Sequence, residues 1–346
     1  MDKGCDIIVS CKSKGKNMGQ EDRSILNKIA DNVIRDYYTA GIKSEVILDT
    51  LLTPVITEVV KKAVDKEGKE LFDPDNEPVF ITKEFPLIKN ADVSNRNTKA
   101  DFLLYDKNTV YLVELKTTAG STDDKAQLEH YREKLKGKDG GKLRFKTLAE
   151  EFIVLLNAVR YTGIGSKKEG EQEKEKLKYK DLKGELKEED KSGSLEESAA
   201  TADGEAAAAF SCLEKLYDRI VERAGITKAH GKDSSSDGRE RIPAPAELYL
   251  KGCIKNGSYG SKKLLMQAEQ LLEVGEEKFS ELWEKEVKII YIVPDNSYDD
   301  IIKKELGEQL AGIVHLREYV PEKADDEAYA GWLYDSILRP LFGSST

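Results

Sequence analysis

Residues 99–118 read KADFLLYDKNTVYLVELKTT. The runs ADFLLY and TVYLVELK are apolar and rich in aromatic or β-branched residues, and the polar DKN between them reads as a hairpin loop. If Tyr105 faces Val110, each step back along the first strand matches a step forward along the second, so Asp101 falls opposite Glu114. Side chains alternate with period two, which adds Lys116 to the same face. Two carboxylates directly opposite one another repel and destabilise an ordinary sheet. A divalent cation between them would reverse that sign.

The chain has 346 residues, enough for one elaborated core or two domains. One catalytic core with insertions is the expected organisation. No run approaches the ~18 apolar residues of a membrane helix, and MDKGCDIIVSCKSKGK lacks a signal-peptide core, so a cytoplasmic protein without a membrane partner is expected. Cys5, Cys11, Cys212 and Cys253 form no CxxC pair, and the three histidines are dispersed, which argues against structural zinc. A net charge of -10 opposes coating of nucleic acid by bulk electrostatics but leaves room for a local groove. Basic residues gather in YREKLKGKDGGKLRFK, Tyr131 to Lys146, either a solvated helix end and loop or a phosphate-tracking surface. Homo-oligomerisation is left open.

Residues 1–21 read as a flexible leader, 22–163 as the core, 164–205 as a charged low-complexity insertion, and 206–346 as helices and strands completing or extending the same domain. An amphipathic helix starts near Asp22, with Leu26, Ile29, Val33, Ile34 and Tyr37 at helical spacing and Gly41 as its stop. A second helical stretch, Ser44 to about Val64, contains Pro54, so a kink or restart capped by Thr53 is expected. Pro78 to Ile88 reads as a strand, followed by the hairpin and then by a helix from the STDD at 121–124 to about Lys136. EFIVLLNAV, Glu151 to Val159, reads as a buried strand. Further helices are expected over Ala206–Ala224, Lys262–Leu272 and Tyr298–Leu310, with strands at Val287–Val293 and in GIVHLREYV. The polar stretch KAHGKDSSSDGRERIPAP reads as a loop. DDEAYAGWLYDSILRPLF reads as a terminal helix packing through Trp332, Leu333 and Ile337. The mixed order suits an α/β fold, a central sheet flanked by helices.

Asp101, twelve intervening residues, then Glu114-x-Lys116 resembles the PD-(D/E)XK nuclease superfamily, the restriction-endonuclease-like fold. Gln127 and Tyr131, in AQLEHY on the following helix, resemble the QxxxY motif of its RecB-like exonuclease branch. The likeness covers about Pro78 to Val159, with Ala100 in place of the motif's proline. E-x-K alone carries little weight where 35% of residues are charged; its agreement with the hairpin register and the second motif carries more. The resemblance implies a mixed central sheet flanked by helices, here with extra helices and a charged insertion. It also implies metal-dependent phosphodiester hydrolysis, of DNA ahead of RNA.

Such hydrolysis needs an activated water, neutralisation of charge at phosphorus and stabilisation of the leaving alkoxide. Mg²⁺ or Mn²⁺ would take Asp101 and Glu114 as oxygen ligands, with the Leu115 carbonyl added by resemblance. Lys116 would hold the attacking water or stabilise the anionic charge. Against this stands a cross-strand salt bridge at a sheet edge, in which one lysine partly offsets two acids. Gln127 and Tyr131 share a helix face and would position phosphate or the lysine. Tyr131 also fits an apolar stripe with Leu128 and Leu135. Glu58, after the Pro54 restart, is the candidate third acid and Glu84 a further one, each more readily read as a surface residue. Arg96, Lys99 and Lys134 are candidate phosphate contacts. The competing reading in another class is a catalytically inactive nucleic-acid-binding or scaffold module with the same fold.

Overall fold

A computed structural model describes residues 27–28, 30–34, 44–88, 98–117, 125–137, 141–159, 201–223, 259–321 and 328–342. The leader, the loop carrying Arg96, the STDD at 121–124, residues 160–200 of the charged stretch and the second polar stretch lie outside the described residues.

The described strands are β1 (Val79–Leu87), β2 (Thr98–Tyr105), β3 (Thr109–Leu115), β4 (Glu286–Val293) and β5 (Leu310–His315). They form one mixed sheet in that order, and helices flank it. The fold is α/β. The hairpin expected from sequence is present, and its closure is a local effect. Asp106 Oδ1 accepts the N–H groups of Asn108 and Thr109, both at 2.7 Å, and Asp106 N–H donates to the Thr109 carbonyl at 2.9 Å. An aspartate that bonds the backbone two and three residues on is the usual chemistry of a tight turn. Tyr111 adds its hydroxyl to Asp106 Oδ2 at 2.8 Å.

β3 and β4 run in the same direction. Near their starts Lys285 Nζ donates to Asp106 O at 3.2 Å, and at their ends Lys116 N–H donates to Ile292 O at 2.8 Å. β4 and β5 are also parallel, with Val293 opposite His315. Parallel neighbours need a long crossover, which the chain between β3 and β4 supplies. Contacts divide the chain into two units, Met1–Phe80, Val113–Arg132 and Ile289–Thr346 in the first, Ile81–Leu112 and Glu133–Lys288 in the second.

In the first unit, α1 (Ser44–Leu52) passes through a 3-10 turn at Thr53–Val55 into α2 (Ile56–Lys61), the interruption expected at Pro54. Thr53 is not the expected cap. Its hydroxyl donates back to the Asp49 carbonyl at 2.7 Å, and no side chain caps α2. Residues 27–28 and 30–34 are helical, with Val33 buried as the spacing predicts, Ile34 half-buried, and Ala30, outside the expected stripe, buried as well. α3 (Lys125–Leu135) ends just before Gly137, whose φ of 67° suits glycine. α8 (Asp299–Leu306), flanked by 3-10 turns, is shorter than the helix expected over Tyr298–Leu310. β5 starts earlier and stops sooner than expected, because Glu318 and Tyr319 N–H both turn back onto His315 O. The terminal helix is present as α9 (Ala328–Leu333), a π turn and α10 (Arg339–Phe342), with Trp332, Leu333 and Ile337 buried. Tyr329 hydroxyl to Leu51 O (2.9 Å) and Trp332 Nε1 to Asn27 Oδ1 (3.0 Å) tie it to the N-terminal helices.

In the second unit, α4 (Phe145–Val159) overturns the strand expected over Glu151–Val159. Residues 151–157 are all buried, so the run shows neither alternation nor an amphipathic stripe, and periodicity alone cannot separate such a segment from a buried strand. Its 15 residues, starting six before the apolar run, decide for helix. α5 (Ala202–Arg223) starts earlier than expected, inside the charged stretch, with Thr201 Oγ1 accepting Gly204 N–H at 3.2 Å. α6 (Tyr259–Glu273) matches expectation, and α7 (Glu276–Leu282) has no counterpart in the sequence reading. Phe279 of α7 meets Phe145, Phe210 and Trp283 at ring-centroid distances of 5.3, 5.4 and 5.8 Å, which locks α4, α5 and α7 together. Among the described residues no helix is long and apolar enough to cross a membrane.

Gly312 on β5 faces the Ala63–Val64 segment after α2. A Cβ there would lie 2.8 Å from Val64 O, while Val64 and Ile313 exchange backbone hydrogen bonds at 2.9 and 2.8 Å. Gly312→Ala must push that bridge off the sheet edge. It is expected to lower stability by about 1–3 kcal/mol in urea titration.

Burial, with Glu273 adding repulsion, pushes the Glu269 carboxyl up to about 7 from 4.5. Its Oε2 and the Tyr217 hydroxyl are buried without hydrogen-bond partners among the described residues. A raised folded-state pKa gives stability that is full below pH 4.5 and lost as pH rises through about 7. Because Glu269 is half-buried, screening reduces the effect to about 1 kcal/mol. Urea midpoints at pH 5 and pH 8 should differ by that amount in the native chain, and Glu269→Gln should remove the difference.

Candidate active site

β3 carries apolar side chains up to Val113 and then places a carboxylate, Glu114, in the interior. Its side chain is 3% exposed and that of Lys116 8%. Lys116 follows the end of the strand, held by its N–H bond to Ile292 O, and its Nζ lies 2.7 Å from Glu114 Oε1. The face shared by Glu114 and Lys116 is the one that period-two alternation predicts.

α3 supplies the other two groups. Gln127 and Tyr131, one helical turn apart, both reach Glu114. Gln127 Nε2 donates to Glu114 Oε1 at 2.6 Å, while its Oε1 accepts from Lys116 Nζ at 3.0 Å. Tyr131 hydroxyl donates to Glu114 Oε2 at 2.5 Å. Tyr131 is fully buried beside buried Leu128 and Leu135, so its ring serves the core and its hydroxyl serves the carboxylate. The core reading of Tyr131 holds, and its hydroxyl meets Glu114, not the lysine that the sequence reading named. Burial pushes the Glu114 carboxyl up, opposed by the Lys116 ammonium and then by the hydrogen bonds from Lys116, Tyr131 and Gln127.

The remaining sequence candidates are placed as follows. Asp101 is half-buried on β2, in the second unit. Leu115 ends β3 and is buried. Glu58, in the first turn of α2, is exposed and pairs with Lys61 at 3.1 Å, and Lys61 also meets Glu77 at 3.0 Å. Lys134 is half-buried, its ammonium ion-paired with the buried Glu151 carboxylate and 3.5 Å from Ile88 O. Lys99 is exposed and lies 4.0 Å from Glu84. Glu84 also pairs with Lys263 of α6, a residue the sequence reading did not single out. The signal was present as Lys263, Gln267 and Gln270 at i, i+4 and i+7, one polar stripe along the helix.

Among the described residues, no group of three or more His, Cys, Asp or Glu side chains is gathered to hold a metal ion. The donor chemistry at Glu114 nevertheless fits a hard cation of the Mg²⁺ kind, which commonly takes one or two protein carboxylates and completes its shell with water and substrate. Glu114 Oε1 accepts two hydrogen bonds and Oε2 one, so a carboxylate with about four acceptor directions keeps one on Oε2. A buried carboxyl whose charged form is disfavoured is also the group that gains most from added positive charge. Comparison of the chain with protein-family models, curated proteins and solved structures finds no match in any of the three.

Tyr131→Phe removes one donor from a buried carboxylate and keeps the ring. A loss of about 1.5–3 kcal/mol is expected from urea titration. In the Glu114→Gln background the same change should cost clearly less, and an additive double-mutant cycle would contradict the coupling described here.

Proposed function

We propose that this chain is a metal-dependent nuclease of the restriction-endonuclease-like fold that hydrolyses phosphodiester bonds, of DNA ahead of RNA. The observation that carries the reading is the Glu114–Lys116–Gln127–Tyr131 network. A buried ion pair adds little to stability compared with apolar packing, yet here four polar side chains from a strand and a helix converge inside the core. They are the residues of the E-x-K and QxxxY motifs, and the helix geometry brings the two motifs to one carboxylate.

In this reading Asp101 and Glu114, with the Leu115 carbonyl, hold Mg²⁺ or Mn²⁺. When bound, the cation neutralises charge at phosphorus and lowers the pKa of a water. Lys116 orients that water or stabilises the anionic phosphorane by charge. Gln127 bridges Lys116 and Glu114, keeping ammonium and carboxylate in register. Tyr131 fixes Oε2 and so the carboxylate plane. Glu58, engaged with Lys61, is not needed for this division of labour.

One observation favours a second reading, a catalytically inactive nucleic-acid-binding or scaffold module of the same fold: Glu114 already has a cation, Lys116, and two further hydrogen-bond donors, Gln127 and Tyr131. Incubation of the protein with single- and double-stranded DNA and RNA, in Mg²⁺, Mn²⁺ or chelator, separates the two. The nuclease should cleave only with metal, and Asp101→Asn and Lys116→Ala, checked for folding by circular dichroism, should each lower the rate about 10²–10³-fold. Binding without cleavage would favour the inactive module. Failure to bind metal at millimolar concentration would count against the site.

A further inference from the structure

Glu84, in β1, has a φ of 52° and is the one non-glycine residue with positive φ among the described residues. A glutamate gains nothing locally from that conformation, and sparsely populated backbone persists only where its surroundings hold it. Here α6 holds it. Gln267 Nε2 donates to both Lys83 O (3.1 Å) and Glu84 O (2.6 Å), two successive carbonyls that a regular ladder would point in opposite directions. Thr82 hydroxyl donates to Gln270 Oε1 one turn along the helix. The positive φ and the two carbonyls turned to one amide mark a bulge-like departure from the regular strand at Glu84, and such a bulge re-aims a side chain.

The re-aimed carboxylate meets two ammonium groups. Lys263 of α6 pairs with its Oε2, and Lys99 Nζ lies 4.0 Å from the same oxygen. Lys99 side chain is 43% exposed. On β2, Lys99 stands two residues before Asp101, so the two share a face of the strand. Both ammonium groups thus converge on one half-buried carboxylate oxygen.

We propose that Lys99 and Lys263 are a phosphodiester-binding pair for a nucleic-acid strand, and that the Glu84 carboxylate stands in for a backbone phosphate that displaces it. This rests on the nuclease reading and names the groups that lead the strand past Asp101. A carboxylate and a phosphodiester offer the same anionic oxygens to two ammonium groups. Glu84 thereby competes with substrate: it keeps the lysines in place without nucleic acid and weakens binding at high affinity. Binding is sequence-independent, because backbone contacts carry no base information.

The test is fluorescence anisotropy with labelled single-stranded and duplex DNA of about 20 nucleotides, without divalent metal, across a salt series, beside a cleavage assay in Mg²⁺. Lys99→Ala and Lys263→Ala should each weaken binding roughly 3–10-fold and reduce the slope of log affinity against log salt by about 0.7–0.9. Glu84→Gln should have the opposite sign, tightening binding about threefold or more. Because Lys99 is exposed, its variant should keep the native thermal midpoint. Unchanged or weaker binding by Glu84→Gln overturns the stand-in role, and unchanged salt slopes in both lysine variants overturn the pair. Cleavage by the native chain alongside either of those results leaves the nuclease reading standing. Charge-dependent binding as expected, with no cleavage, upholds the pair and removes the hydrolytic reading. Absence of binding and of cleavage removes both.

Discussion

A carboxylate that enters a protein interior must be given hydrogen bonds and positive charge, or it will not stay ionised. Glu114 imposes that demand at the end of β3, and the surrounding structure answers it from two directions. Lys116, one strand step away, supplies the charge. Gln127 and Tyr131, one helical turn apart, supply donors, and because both must reach the same carboxylate the azimuth of α3 is set by them as well as by Leu128 and Leu135. Tyr131 shows how the two needs are combined, with an aromatic ring in the apolar layer and a hydroxyl on Glu114 Oε2. Removing all four polar groups in favour of apolar residues is the cheaper way to make a core.

That network was legible because each of its steps is local. The Asp106 turn closes the hairpin at the pair next to Tyr105 and Val110, period two puts Glu114 and Lys116 on one face, and a spacing of four puts Gln127 and Tyr131 on one helix face. Where the reading failed, the deciding information was not local. Residues 151–157 of the run EFIVLLNAV are buried on every side, so the pattern that distinguishes helix from strand was erased by the burial itself. α7 is short, and its place is fixed by the contact of Phe279 with rings from two other helices. Thr53 follows Asp49 by four residues, and its hydroxyl goes back to that carbonyl instead of forward to a cap, a competition that sequence does not arbitrate. The ion pairs of Glu84 and Lys134 join residues 179 and 17 positions apart, Glu84 with Lys263 and Lys134 with Glu151.

The charge pattern follows from the same bookkeeping of ion pairs. A chain with a net charge of -10 would repel a nucleic acid at long range, and several of its buried or half-buried lysines are matched inside the molecule: Lys116 with Glu114, Lys134 with Glu151, Lys146 with Glu205, Lys263 with Glu84. These pairs are not equivalent. Glu151 is buried and Lys134 half-buried, with side chains 10% and 12% exposed, so breaking that pair leaves two poorly solvated charges and an external anion replaces Glu151 only at a cost. Lys146 and Glu205 are more exposed, and their pairing joins α4 to α5, so it serves packing.

The Glu84 pair differs from both. Its lysines come from separate elements, one of them largely in solvent, and its carboxylate is delivered by a backbone that is bent to deliver it. An exchange of anions there requires no burial of charge, because the incoming phosphodiester takes the oxygens' place and the released carboxylate returns to water. The tethered glutamate acts as a local competitor whose effective concentration is set by the bulge and not by the salt in solution. Added salt weakens the phosphate contact through counterion release while leaving that tether nearly unchanged, so it shifts the exchange toward the internal pair. An acidic chain can in this way hold a nucleic-acid strand at a few positions and let it go readily, which is the balance a hydrolase needs between its substrate and its product.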